Sequence, residues 1–282
     1  MAEKRTQIAI LGAGIFVRSQ YIPRLSEISD LVLVKAIWSR TEESARGAVD
    51  IARKHFPEVE CKWGDEGLEE IIRDESIPAV AVVLAGQTQV DMSLRLLKAG
   101  KHVLQATTEI EMALASYNSI LANSPGQPIW ALAENYRFEP AFVEGKSLLA
   151  EIGDMMTVQG GFILDMGVHF IAGLRMIFWR VVGLKGTVQV DRGTQDGRHG
   201  YVVSFYGADG QCKSTFYPFS GVTEELKAFL HDVSTVTVKV KESGYKAEPR
   251  CSFVEGARDV AVLLAMLDSG NKRGELVPVT KY

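Results

Sequence analysis

Two stretches of the 282-residue chain carry residue types and spacings that can do chemistry. The first is Gly12-Ala13-Gly14-Ile15-Phe16-Val17, which follows the apolar run Gln7 to Leu11 and leads into a helix-favouring stretch toward Leu25. It fits G-x-G-x-x-(G/A) at its first two glycines and departs from it at Val17. In such a loop the first glycine makes the strand-to-helix turn and the second lets the backbone approach a pyrophosphate. The helix start adds unpaired N–H groups and a partial positive charge. Gly12, Gly14, Ile15 and Phe16 are therefore candidate dinucleotide contacts, with a bare structural turn as the competing reading. The second stretch is Gly160-Gly161-Phe162-Ile163-Leu164-Asp165-Met166-Gly167-Val168-His169. If it is helical from Leu164, Asp165 and His169 share one face at i and i+4. A carboxylate can then orient an imidazole that passes a proton near neutral pH. A structural histidine and a pair of metal ligands are the alternatives, and no third His or Cys stands at a spacing that would complete a metal site.

Two further segments supply candidate ligands. The second apolar run ends in Ser39-Arg40-Thr41. An acidic residue there would bind a ribose 2′-hydroxyl, whereas an arginine among hydroxyls suits a 2′-phosphate. Ser39 and Arg40 thus favour NADP over NAD, unless Arg40 is simply a solvated loop residue. Asn135-Tyr136-Arg137 follows an apolar run in a parallel-sheet pattern, where loops at strand C-termini meet ligands, so Asn135 and Arg137 are candidate contacts beside ordinary loop polarity. His55, His102, His199 and His231 read as surface or packing residues.

These residues need a scaffold, and the first half of the chain alternates strand and helix signals. Leu31 to Trp38, Ala79 to Leu84 and His102 to Leu104 are apolar runs, with helical patterns over Glu42 to His55, Glu66 to Arg73 and Val90 to Leu97. That alternation builds βαβ units and a parallel, doubly wound α/β sheet. Pro128 to Ala133 reads as a strand and Glu139 to Glu151 as a helix. From Val181 onward, GTVQV, GYVVSFYG and CKSTFYPF are strand-like runs separated by glycines, the pattern of an antiparallel sheet. One helix is expected to start with Thr223 as N-cap, and another to run from Phe253 to Leu267 with Gly270 as its stop. The expected organisation is a Rossmann domain over 1–134 and a C-terminal α+β domain with a mostly antiparallel, open sheet over 135–282.

Composition narrows the class. A hydrophobic share of 46% with 23% charged residues suits a folded globular chain. With 31 basic and 35 acidic residues and no basic run, nucleic-acid binding is not expected. Three widely spaced cysteines form no disulfide framework, which points to a reducing compartment. The stretch after Lys4-Arg5 is broken by two glycines and no apolar run spans a bilayer, so a soluble, cytoplasmic protein is expected.

Taken in order, Gly12-Ala13-Gly14, Glu134-Asn135-Tyr136-Arg137 before Pro140, Gly160-Gly161 with Asp165-x-x-x-His169, and Val182-Gly183-Leu184-Lys185-Gly186-Thr187 resemble successive signatures of the Gfo/Idh/MocA oxidoreductases. This is the glucose–fructose oxidoreductase and inositol dehydrogenase family, here in wording similar to a eukaryotic, plant-like branch. The resemblance implies an N-terminal Rossmann domain and a C-terminal α+β domain whose open sheet faces the nicotinamide. It implies hydride transfer between NAD(P) and a sugar, polyol or related small molecule, with His169 as acid/base or substrate-binding residue beside Asp165. The open sheet is compatible with a homo-oligomer.

The chain departs from that pattern in two ways. The family follows its fifth strand with Glu-Lys-Pro, but here Gln105-Ala106-Thr107-Thr108-Glu109 follows, and no lysine stands from Val103 to Gly145. A cation beside the reacting oxygen stabilises its developing charge, and losing an acid/base group costs about 10²–10⁴ in rate. The segments Asp154 to Gly161 and Met176 to Gly183 also look abbreviated, as in an internally shortened member. A non-catalytic dinucleotide-binding sensor or scaffold derived from the family is therefore the alternative to an enzyme.

Overall fold

The computed structural model describes residues 5–105, 111–123, 127–159, 180–238 and 246–282. The chain divides into two compact units, Met1–Ala133 with Glu225–Ala257, and Glu134–Glu224 with Arg258–Tyr282.

The first unit is built on a six-stranded parallel sheet of order β3-β2-β1-β4-β5-β6. Its strands are β1 (Thr6–Leu11), β2 (Val32–Ser39), β3 (Glu60–Trp63), β4 (Ala79–Val82), β5 (His102–Gln105) and β6 (Trp130–Leu132). The interior strands are apolar on both faces because crossover helices cover both. Every residue of β4, β5 and β6 is buried. The connections carry α1 (Ile22–Glu27), α2 (Glu42–Ala52), α3 (Gly64–Arg73), α4 (Gly86–Lys98) and α5 (Glu111–Asn123). The edge strand β3 escaped the sequence reading because its four residues, ECKW, are partly or wholly exposed and show no apolar run. At the other edge, Ser252 bridges Ala131 of β6 and Phe253 stacks on Trp130 at 4.1 Å, covering a strand whose free polar groups would otherwise face solvent.

The second unit carries a five-stranded antiparallel sheet in chain order, β7 (Met155–Gln159), β8 (Arg180–Gly183), β9 (Gly186–Gln195), β10 (Arg198–Gly207) and β11 (Cys212–Pro218). Asp196-Gly197 turns β9 into β10, both with positive φ (51° and 73°), the backbone a two-residue hairpin needs. The helix α6 (Pro140–Leu148) lays Ala141 and Phe142 on the sheet, against Val181, Val188, Val190, Tyr201 and Val203. The doubly wound sheet and the antiparallel sheet are the fold class expected from the sequence.

Two helix ends differ from expectation. The helix α7 (Gly221–Val238) begins two residues before Thr223. Its first N–H groups are held by the Glu139 carboxylate, which accepts from Gly221 at 3.0 Å and from Ser220 at 3.3 Å. A charged side chain from the residue just before α6 serves better than a local hydroxyl, because it meets both the donors and the positive helix end. The last helix, α8 (Phe253–Asn271), runs past Gly270 and closes instead at Arg273 and Gly274, both with positive φ, where the Gly274 N–H reaches back to the Ser269 carbonyl at 2.8 Å.

Candidate functional site

The site grows from the carboxyl ends of the parallel strands. Strand order reverses between β1 and β4, and at such a switch point the two crossovers leave in opposite directions and open a crevice. Gly12 stands at the end of β1. Its φ is 125°, and a Cβ there would lie 2.1 Å from the Val83 carbonyl oxygen. Its N–H donates to the Trp38 carbonyl at 2.8 Å, while the Val83 N–H donates to the Leu11 carbonyl at 2.8 Å. Gly12 is thus required by the protein itself, as the place where three strand ends close on one another.

Gly14 is different. It is exposed, its φ is not positive, and an added Cβ would meet no atom within 4 Å. No described residue crowds a side chain here, and the position lies open beside the start of a helix. That open cradle fits a pyrophosphate. Ile15 and Phe16 follow it, 85% and 47% exposed, as an apolar lip. The motif's third small position is held by Val17, which is fully buried, and the chain there widens into a π-turn, Val17–Tyr21, before α1 begins. A larger residue where glycine or alanine usually lets helix and strand pack closely is accommodated by this wider turn.

The next loop carries Ser39 and Arg40. Thr41 caps α2, its hydroxyl accepting from the Ser44 N–H at 3.4 Å, so Arg40 immediately precedes a helix start. Arg40 is exposed and makes no ion pair or hydrogen bond with the described residues. Glu42, the nearest acid along the chain, is paired with Arg46. A free guanidinium at a helix N-terminus suits a dianionic phosphate. The sequence reading missed Trp63, which pairs with Ser39 across the β2–β3 ladder and is 43% exposed, because β3 itself gave no signal. It also missed Arg18, whose Nε donates to the Ala13 carbonyl at 2.9 Å.

Two further strand ends complete the rim. Beyond β4, α4 starts at Gly86 with no side-chain cap, and the buried Gln89 amide braces the loop by donating to the Leu84 carbonyl at 2.6 Å. At the end of β5, Gln105 is fully buried and accepts from the Trp130 indole N–H at 3.1 Å. His102, at the other end of β5, is a packing residue: its Nδ1 accepts from the Ile129 N–H at 3.0 Å, and burial pushes its pKa down to about 4. Behind the glycine loop, the Tyr21 hydroxyl is buried without a hydrogen-bond partner among the described residues. Its pKa is raised by burial first, then by Glu225 and Cys251.

Of the residues singled out in the sequence, Gly12, Gly14, Ile15, Phe16, Ser39 and Arg40 come together on the first unit. Asn135 and Arg137 belong to the second unit, in a short 3-10 turn. The Arg137 guanidinium is buried and ion-paired to Asp259, a strut between α8 and the turn that precedes α6. The Asn135 carbonyl accepts from the Phe138 and Glu139 N–H groups at 2.9 and 3.0 Å. Asp165 and His169 lie outside the described residues. Among the described residues no group of three or more His, Cys, Asp or Glu side chains could hold a metal ion, and no helix is long and apolar enough to cross a membrane.

Comparison with known proteins agrees with this geometry. Residues 6–107 match the Gfo/Idh/MocA oxidoreductase family, described by its NAD-binding Rossmann fold. Dehydrogenase FPY6 of Fusarium mangiferae is 27% identical, with 95% of this chain and 97% of that protein aligned. That alignment is 348 positions long against a chain of 282, so dozens of the relative's residues have no counterpart here. Three solved structures share the fold. KijD10, a 3-ketoreductase from Actinomadura kijaniata in complex with NADP, has a TM-score of 0.69 at 16% identity and covers 93% of this chain and 96% of its own. Levoglucosan dehydrogenase in complex with NADH has a TM-score of 0.71 at 13% identity, with 99% and 100% covered. The transcriptional regulator Gal80p of Kluyveromyces lactis has a TM-score of 0.69 at 11% identity, with 98% and 95% covered.

Proposed function

From the match of residues 6–107 to the Gfo/Idh/MocA oxidoreductase family, we propose that the chain is an NADP-dependent oxidoreductase acting on a sugar, polyol or related small alcohol or carbonyl compound. The observation that supports the cofactor reading is Gly14, a glycine that no contact among the described residues requires. Gly12 sets the turn, Gly14 leaves room for the pyrophosphate, and the following helix start offers its N–H groups. Ser39 and Arg40, before the capped start of α2, hold the 2′-phosphate. Ile15 and Phe16 shield the phosphates from water. Asn135 is proposed as a further contact, whereas Arg137 is assigned to bracing Asp259 within its own unit. The nicotinamide, when bound, supplies hydride-transfer chemistry. His169, oriented by Asp165, takes the hydroxyl proton as an alcohol is oxidised or returns it as a carbonyl is reduced. The likeness to a dehydrogenase, a 3-ketoreductase and levoglucosan dehydrogenase supports the substrate class.

Titration of NADPH and NADH by fluorescence, followed by a screen of sugars and polyols for nicotinamide absorbance change, tests this reading. Tighter binding of NADPH with turnover on at least one substrate is expected. Arg40→Asp should reverse the preference between the two cofactors. NADPH binding without turnover on any substrate overturns the enzyme reading and leaves the cofactor reading standing.

A second reading, a dinucleotide-binding regulator without catalysis, is favoured by the absence of lysine from Val103 to Gly145 and by the likeness in fold to Gal80p. Its discriminating result is a cellular effect that survives His169→Ala.

A further inference from the structure

We propose that Arg18 is a positioning residue that locks the corner between β2 and α2 to the glycine loop, so that one cofactor engages both at once; this rests on the NADP reading above. Arg18 lies four residues past Gly14, and its N–H donates to the Gly14 carbonyl at 3.1 Å, closing the loop through the backbone. Its side chain then reaches in two directions. Nε donates to the Ala13 carbonyl at 2.9 Å, and Nη2 donates to the Ser44 carbonyl at 3.1 Å, 26 residues further along the chain. Ser44 is in turn the residue whose N–H is held by Thr41, next to Arg40. A continuous set of contacts therefore runs from the pyrophosphate cradle to the phosphate corner.

The surroundings are shaped for this guanidinium. A Cβ on Gly47, on the face of α2 that meets Arg18, would lie 3.0 Å from Nη2, so a larger residue there would press on the bridge. A planar fork can bond two carbonyls that lie in different directions at fixed spacing, which the point charge of a lysine does less well. Arg18 also makes no ion pair with the described residues, so its charge stays uncompensated beside a site for anions.

A ligand that bridges two sites gains from their fixed separation, because engaging the second is intramolecular once the first is held. Loosening the bridge should therefore weaken the ligand that uses both sites and spare a ligand that uses one. The experiment is a double-mutant cycle on NADPH affinity, with Arg18→Gln and Arg40→Gln singly and together, and NADH and adenosine 2′-monophosphate as ligands that each lack one half of the match. Arg18→Gln should weaken NADPH about tenfold in the wild-type background and less than twofold in the Arg40→Gln background, while it changes adenosine 2′-monophosphate affinity by less than about twofold in either background. Gly47→Ala, which displaces the guanidinium without deleting it, should show the same coupling at smaller size, and it stands in if Arg18→Gln does not fold. Equal loss in both backgrounds, or equal loss for adenosine 2′-monophosphate, overturns the positioning role, as does an unchanged NADPH affinity in both variants. Wild-type protein that binds no dinucleotide overturns the NADP reading and this inference together. Wild-type binding with no coupling overturns this inference alone.

Discussion

Replacing each of the two loop glycines by alanine separates a turn made for the fold from a cradle made for a ligand. At Gly12 the φ of 125° is a backbone conformation that alanine rarely adopts, and the new Cβ would stand 2.1 Å from the Val83 carbonyl oxygen. Disfavoured backbone geometry costs about 1–3 kcal/mol and relief of the overlap about as much again. Together they amount to about 4 kcal/mol, or a melting temperature lower by about 10 °C. At Gly14 the φ is not positive and the Cβ meets nothing within 4 Å, so the same methyl group should leave the unliganded protein unchanged or raise its stability by about 0.4–1 kcal/mol through a less flexible unfolded chain. Binding reverses the order. NADPH at a hundred times its Kd stabilises the wild type by about 2.7 kcal/mol. A methyl group in the pyrophosphate's path that costs about 2 kcal/mol weakens binding about thirtyfold and leaves about 0.9 kcal/mol of that stabilisation. Calorimetric melts of wild type, Gly12→Ala and Gly14→Ala, each with and without NADPH, read both effects. A Gly14→Ala protein that keeps the full NADPH shift would refute the assignment of this space to the cofactor, and an undiminished melting temperature for Gly12→Ala would refute the structural account of the turn.

Three other expectations follow from buried polar groups. Gly221→Ala would place a Cβ 2.4 Å from the Asn135 carbonyl oxygen and 2.7 Å from Glu139 Oε1, displacing the carboxylate that caps α7; a loss of about 2 kcal/mol is expected, less than additive with Glu139→Ala in chemical denaturation. Simple additivity would show that the two residues do not share one cap. The His102 imidazole has its pKa lowered from 6.5 to about 4 by burial, so the unfolded chain binds the extra proton first as pH falls. Its contribution is full above about pH 6.5 and lost progressively toward pH 4, a fall of about 3 kcal/mol that His102→Asn should remove from the pH profile of stability; an unchanged profile would assign the acid sensitivity elsewhere. Tyr21→Phe deletes a buried hydroxyl that has no partner among the described residues, and should raise the melting temperature by about 2–4 °C, whereas a clear loss would reveal a hydrogen bond made there.

The parallel sheet was legible because its interior strands are apolar on both faces, and that pattern survives without any knowledge of neighbours. The glycine loop was legible for a similar reason, since turn, cradle and helix start are consecutive in the chain. What stayed hidden depends on partners distant in sequence. Thr223 looks like an N-cap by composition, but the donors at this helix start are met by Glu139, 82 residues away from Gly221. Arg137 looks like a loop residue awaiting a ligand until Asp259, 122 residues on, is placed beside it. Arg18 gave no signal at all, because a lone arginine on a helix is ordinary until its two carbonyl partners are known. The edge strand β3 was invisible for the opposite reason: half-exposed residues carry no periodicity strong enough to mark a strand.

The shortening expected of the second sheet raises a physical question of its own. A sheet that loses interior strands should be left with unpaired N–H and C=O groups and uncovered apolar surface. Among the described strands the first consequence is avoided. Gln159 pairs with Arg180 in the antiparallel ladder of β7 and β8, and among the described strands each later one pairs with the next in chain order. The second consequence is visible. Met155 and Met156 on the edge strand β7 are 64% and 66% exposed, and Leu184 in the turn after β8 is 63% exposed. Consecutive pairing of the described strands thus leaves these apolar side chains exposed near β7. Shortening of this kind is compatible with a folded second unit. It bears on catalysis only through the residues such a sheet presents to the substrate, which is why the absence of lysine, rather than the missing length, is the stronger argument for the regulator reading.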